Sequence, residues 1–209
     1  ETGQVGGGGR RGAWGWDGPE SCKGGVGDPG MALAVVQVRA LPFLDQCVRA
    51  NDWKTALPHP MPAFEVMNFG VLGYGRIGRR CAARARAFGR HVLAGTRTQR
   101  DGAGLVERVD PMQKLDGLLA KSDFVLLALP LDSSTAGLFG KERISKLKST
   151  ALIINVAHGA LINEQALYEA CRDRRLGGAA IDTWYSYTAQ GGHSCEPSTL
   201  PFRAHDNVI

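Results

Sequence analysis

Between Asn68 and Asp182, five apolar runs alternate with helix-patterned stretches, and no other feature limits the fold of this chain so sharply. The runs NFGVLG (68–73), HVLAG (91–95), DFVLLALP (123–130), ALIINVA (151–157) and GGAAID (177–182) read as strands. They are apolar throughout rather than at alternate positions, so both faces of their sheet must be covered. The stretches RIGRRCAARARAF (76–88), PMQKLDGLLAKS (111–122), KERISKLK (141–148) and NEQALYEACRDRR (163–175) read as the covering helices. Such alternation builds an α/β fold with a doubly wound parallel sheet.

The residues before Asn68 follow other patterns. Residues 1–30 are glycine-rich with scattered tryptophans and no periodicity, and cannot bury enough surface to offset their ordering entropy. They are expected to be a disordered leader. Residues 31–67 are expected to form a helix and a proline-rich linker. Within them MALAVVQVRALPFLDQCVRANDW (31–53) has mixed helical spacing, and Pro42 should kink or split the helix. Residues 68–209 then form the main domain.

GYGRIG (73–78) places a GxGxxG loop between the first strand and its helix. Gly73 permits the tight turn, Gly75 lets a pyrophosphate approach the backbone, and Gly78 allows helix and strand to pack closely. The unpaired N–H groups of the helix start would face the phosphates. Loop and alternation together describe a Rossmann-type, dinucleotide-binding domain. In NAD sites a carboxylate about 20 residues further on accepts hydrogen bonds from the ribose. Here Thr96 stands at the end of the second strand and Arg97 follows it, with Arg100 nearby. A carboxylate would repel a 2′-phosphate, whereas Arg97 can pair with one, so the loop favours NADP over NAD.

GYGRIGRR, followed by SDFVLLALPLDSSTAGLFGKERISKLKSTALIINVAHGALINEQALYEACRDRRLGGAAIDTW, resembles the coenzyme-binding domain of the D-isomer-specific 2-hydroxyacid dehydrogenases. The likeness runs from Asn68 to Trp184. It extends to residues 31–53, similar to that family's connecting helix, and to the tail PSTLPFRAHDNVI, similar to the segment leading into the family's last coenzyme-domain strand. In the family the coenzyme domain is inserted into a smaller substrate domain built from both chain ends. Neither half is recognisable here, so the resemblance implies a coenzyme domain whose substrate domain is largely missing. It also implies roles for Tyr74, Arg76 and Ile77 along the dinucleotide, and for Pro130 against the adenosine. Val156, Ala157 and His158 would pass the nicotinamide, and Asp182 would lie near its carboxamide.

The family's reaction is hydride transfer between nicotinamide and a 2-hydroxy or 2-keto acid. It clamps the carboxylate and polarises the carbonyl with an arginine, and protonates the alkoxide with a histidine poised by a glutamate. The arginine's place is held here by His158, the glutamate's by Tyr187, and the histidine would lie beyond Ile209. An imidazole lacks the planar fork of a guanidinium and, with a reference pKa near 6.5, is only partly charged at neutral pH. Loss of a charge-assisted hydrogen bond, about 1.5–3 kcal/mol, would slow turnover by roughly ten- to a hundredfold or more. His158 can be weighed as a catalytic general acid, but replacement of the arginine without its competence is the favoured reading. His59, His91, His193 and His205 match no catalytic motif and read as surface histidines.

The chain is therefore expected to bind NADP or NAD, to act on a small 2-hydroxy or 2-keto acid with impaired catalysis, and to form a homodimer through the coenzyme domain, as family members do. The alternative is a non-enzymatic dinucleotide-binding scaffold or sensor. The net charge of +5 comes largely from an acid-free stretch, Arg76 to Arg100, read as a solvated helix face rather than a nucleic-acid surface. No run of apolar residues is long enough to span a membrane. Five cysteines without CxxC or Cys/His spacing argue against a metal site or disulfide framework and fit a reducing, cytoplasmic setting.

Overall fold

The computed structural model describes residues 27–53, 56–57, 66–89, 91–97, 100–102, 104–106, 108–188 and 195–209. Most of the expected leader, most of the proline-rich linker, Cys22, His59 and His193 lie outside the described residues.

A seven-stranded sheet forms the centre of the molecule. Its strands are β1 (Asn68–Leu72), β2 (His91–Thr96), β3 (Arg100–Asp101), β4 (Arg108–Pro111), β5 (Phe124–Leu127), β6 (Leu152–Asn155) and β7 (Gly178–Ile181). They lie in the order β3-β4-β2-β1-β5-β6-β7. All neighbours pair in parallel except β3 with β4. Counted among themselves, the parallel strands run 3-2-1-4-5-6, the order of a dinucleotide-binding fold. The chain winds outward in one direction from β1 and in the other from β5. A crevice therefore opens beyond the carboxyl ends of those two strands.

Strand alternation sends each apolar run to two cores. Val125, Leu127 and Ile153 join the core beneath α4 (Leu115–Lys121), α5 (Lys141–Ile144) and α6 (Glu164–Arg172). Phe124, Leu126 and Ile154 join the core on the opposite face, with Cys81, Ala82 and Ala85 of α3 (Arg76–Ala87) and Met31 and Ala34 of α1 (Gly27–Val38). Both faces are covered, as continuous apolar strands require.

Several expectations change in detail. The helix α1 begins at Gly27, so residues 27–30 of the segment expected to lack order are helical. The expected split at Pro42 is present and falls just ahead of it: α1 ends at Val38, Ala40 turns left-handed (φ 48°), and Pro42 sits in the first turn of α2 (Leu41–Arg49), where its missing N–H is not needed. The stretch 111–122 is not one helix, because Pro111 ends a strand and a 3-10 turn precedes α4. α5 covers only 141–144 of the expected 141–148. The arginine-rich stretch is indeed the outer face of α3: Arg79, Arg80 and Arg86 are exposed, while Arg84 pairs with Asp28 of α1.

Candidate dinucleotide site

The loop after β1 is shaped by two contacts that allow no side chain. Gly73 has φ +95°, and a Cβ there would lie 2.3 Å from the Ala128 carbonyl oxygen. Its N–H donates to the Gly95 oxygen at 2.8 Å, which wedges it between the ends of β2 and β5. A Cβ on Gly78 would lie 1.9 Å from the Gly73 oxygen, so helix and turn close on each other there. Gly75 differs. It is exposed, caps α3, and a Cβ on it would meet nothing within 4 Å. Space is thus left open in front of an α3 start that has no side-chain cap and no acidic residue in its first turn. That is a cradle for an anion, and the residues present fit a pyrophosphate.

The other residues singled out in the sequence divide into two groups. Arg76 is exposed and Ile77 half-buried at the start of α3, beside the cradle. Tyr74 is not a ligand-facing side chain: it is buried in the α1/α3 core and its hydroxyl donates to the Gly102 oxygen at 2.8 Å. Only its backbone is left for a ligand. Thr96 ends β2, half-buried, and exposed Arg97 follows; its Nη2 donates to Asp132 Oδ2 at 2.7 Å. Pro130, exposed, follows β5, and its carbonyl accepts from the Thr135 hydroxyl at 2.7 Å. The side chain of Arg100 lies outside the described residues.

Val156, Ala157 and His158 form the turn after β6, next in order from β5. Asn155, fully buried at the strand end, braces this turn: its Nδ2 donates to the His158 oxygen at 2.8 Å and its Oδ1 accepts from the Ala157 N–H at 3.1 Å. Gly159 then passes so close to the segment after β7 that a Cβ would lie 2.6 Å from the Trp184 oxygen. The backbone at His158 is thereby fixed beside residues 182–187, with its imidazole exposed. Asp182 joins the same edge, its N–H donating to the Asn155 oxygen at 2.9 Å. Protein packed around its otherwise exposed carboxyl raises the pKa above the ordinary aspartate value. Tyr187, mostly exposed, has its phenol pKa raised by partial withdrawal of its hydroxyl from water; the Trp184 N–H opposes the rise and the Asp182 charge adds to it.

Two residues in this region escaped the sequence reading. Asn155 could have been noticed as the one polar residue closing an apolar run, LIIN. Asp132 gave no local signal, because its partner Arg97 is 35 positions away. Among the remaining histidines, His91 is exposed at the opposite, amino end of β2. His205 is not a surface histidine: its ring lies 4.9 Å from that of Tyr168 and its Nε2 is buried.

Comparison with known proteins agrees with this geometry. Residues 31–209 match the family described as "D-isomer specific 2-hydroxyacid dehydrogenase, NAD binding domain". The glyoxylate/hydroxypyruvate reductase B of Erwinia tasmaniensis is 35% identical over 163 residues, which cover 76% of this chain and 50% of that protein. The D-lactate dehydrogenase of Aquifex aeolicus, solved with NAD and lactic acid, superposes with a TM-score of 0.76 at 26% identity, over 88% of this chain and 57% of that one. An acyclic imino acid reductase solved with NADPH and D-Arg gives 0.75 at 26% identity, over 90% and 56%. The chain spans about half the length of the curated relatives it matches. The match, the strand order and the glycine cradle meet in one conclusion: this chain belongs to the D-isomer specific 2-hydroxyacid dehydrogenase family and comprises its NAD-binding domain.

Proposed function

We propose that the crevice beyond β1 and β5 binds a nicotinamide dinucleotide, and that the chain serves hydride transfer between it and a small 2-hydroxy or 2-keto acid. The observation that carries this reading is the contrast between the closed positions Gly73 and Gly78 and the open one at Gly75. Gly75 and the start of α3 hold the pyrophosphate, with Arg76 and Ile77 beside it. Thr96, Arg97 and Pro130 hold the adenosine side, and Arg97 favours a 2′-phosphate, hence NADP. The backbone of Val156, whose side chain is buried in the core with that of Tyr74, and Ala157 line the nicotinamide, and Asp182 accepts from its carboxamide. When bound, the nicotinamide supplies or accepts the hydride. His158 stands where the family resemblance puts the carboxylate-clamping arginine, and its exposed imidazole offers single donors in place of a bidentate fork. Weak clamping and slow turnover follow. His158 also favours a second reading, a dinucleotide-binding scaffold or sensor without turnover.

The amphipathic helix α2 buries none of its residues and exposes Leu41 and Val48. A second copy of the chain would cover that strip, making a homodimer. No disulfide joins Cys47, Cys81, Cys171 and Cys195, which suits a reducing compartment such as the cytoplasm. Among the described residues no single helix is long and apolar enough to cross a membrane.

Titration with NADPH and NADH, followed by nicotinamide fluorescence, tests the central claim. Gly75→Val should weaken both by about tenfold or more, since its side chain fills the cradle without touching protein. Saturable binding lost in this variant supports the site; no binding by the unaltered chain refutes it. Dimerisation on dinucleotide addition, without consumption of glyoxylate or pyruvate, would select the scaffold reading.

A further inference from the structure

We propose that Asp132 sets the NADPH-to-NADH preference of this crevice by holding Arg97, so that a 2′-phosphate reaches the arginine only by displacing or sharing a resident carboxylate. The inference rests on the reading that a dinucleotide occupies the crevice.

The geometry is that of a bar across the crevice mouth. Arg97 follows β2 and Asp132 lies in the turn after β5, the two strands that flank β1. The glycine loop sits between the same two walls: Gly73 donates to Gly95 at the end of β2 and abuts Ala128 at the end of β5. The Nη2–Oδ2 contact of 2.7 Å therefore bridges the walls on either side of the phosphate cradle.

Asp132 does not depend on Arg97 for its place. Its Oδ1 accepts from the Ser134 N–H at 2.9 Å and from the Ser134 hydroxyl at 2.6 Å. Its own N–H donates to Thr135 Oγ1 at 2.8 Å, and that hydroxyl donates to the Pro130 oxygen at 2.7 Å. The turn thus fixes one carboxylate oxygen and leaves the other facing Arg97. Hydrogen bonds from Ser134, ahead of the Arg97 contact, hold this carboxyl down to about 2, so it is anionic at neutral pH.

The two dinucleotides meet different fields at such a site. A 2′-phosphate brings close to two negative charges to within reach of Arg97, and so also close to Asp132, which repels it. A 2′-hydroxyl pays no such penalty and can donate to a carboxylate. An arginine beyond β2 with no carboxylate at Thr96 would alone select NADP strongly. With Asp132 attached to it, the selection is much smaller, and the crevice accepts both cofactors.

Asp132→Asn tests this cleanly, because the amide oxygen can keep both Ser134 contacts while the second oxygen and the charge are lost. NADPH and NADH affinities are measured for the unaltered full chain, Asp132→Asn, Arg97→Ala and the double variant. The ratio of NADPH to NADH affinity should rise about five- to tenfold in Asp132→Asn, the size expected for removing one partly screened charge beside a phosphate. The rise should fall to less than half when Arg97 is already absent. Asp132→Ser, which also keeps a turn-forming oxygen, should move the ratio the same way and guards against misfolding of the asparagine variant. A change below about twofold in both variants, with both cofactors still bound, overturns the proposal and leaves the dinucleotide site standing. An equal rise with and without Arg97 overturns it too, since Asp132 would then act by bare repulsion. Binding of neither cofactor by the unaltered chain removes this proposal together with the site.

Discussion

The three glycines of the loop look equivalent as letters, yet they do different work. A Cβ on Gly78 would stand 1.9 Å from the Gly73 oxygen, a distance at which the helix must move away from the turn. Gly78→Ala should therefore destabilise the fold by about 1–3 kcal/mol despite alanine's better helix propensity. Gly75→Ala, with φ −86° and open space around it, should cost less than about 1 kcal/mol, the loss of a glycine cap without any clash. Urea unfolding of the two variants checks the contrast, and similar losses at both positions would refute the assigned roles. The sequence motif names all three glycines but cannot say which faces ligand and which faces protein. The same limit applies to Tyr74, placed by the resemblance along the dinucleotide although its ring belongs to the core. A motif encodes backbone path; the side-chain direction depends on neighbours far away in the sequence.

At the level of elements, legibility followed burial. β1, β5, β6 and β7 could be read because nearly every residue in them is buried and apolar. β4, RVDP, could not: it is short, mostly polar and near the sheet edge, and it pairs with β2 through only three residues. The tail's likeness to a segment entering the last strand agrees with its parallel bridge to β7, but its anchorage on α6 was invisible, because that depends on a carboxylate at the start of the helix. Asn163 caps that helix through Oδ1, accepting from the Ala166 N–H at 2.9 Å. Glu164, the next residue, accepts from the Ser198 hydroxyl at 2.5 Å, the Thr199 N–H at 2.9 Å and the Thr199 hydroxyl at 3.0 Å. Burial alone would raise the Glu164 pKa, but these hydrogen bonds together outweigh it and lower it. A depressed pKa contributes stability above the ordinary glutamate value, near 4.3, and that contribution is lost as pH falls through the folded value. The Thr199 amide should accordingly exchange its hydrogen faster relative to α6 below about pH 4. Glu164→Gln should loosen the tail by about 1 kcal/mol at neutral pH, discounted for partial exposure, and should abolish that pH dependence. Hydrogen exchange resolved to residues 196–200 measures both, and an unchanged pH profile in the variant would show that the carboxylate is not the anchor.

At the scale of the whole molecule, the two cores lie on opposite faces of one sheet, and alternate residues of the same strands serve both. Neither core can be lost while the other keeps its strands in register. The ends of the described fold are joined to this sheet at one place. Gln37 of α1, 3% exposed, donates from Nε2 to the Asn207 oxygen at 2.9 Å, and lies over Gly178 of β7. The Ala179 N–H donates to that same oxygen at 2.9 Å, and the tail continues beside β7 through Ile209. A glutamine in an apolar helix thus ties the α1 face, the sheet edge and the tail together. Gln37→Ala leaves the Asn207 oxygen with its Ala179 donor, so no carbonyl is orphaned. The loss is one buried hydrogen bond and the contacts of the removed atoms, about 1–3 kcal/mol. In a chain of this size each kcal/mol lowers Tm by roughly 2–4 °C. Because both cores share the strands, the drop should appear as one transition, coincident in far-ultraviolet circular dichroism and in tryptophan fluorescence. Separate transitions in the variant would mean that the α1 face melts alone, and that α1 is an attachment to the sheet rather than part of its cooperative core.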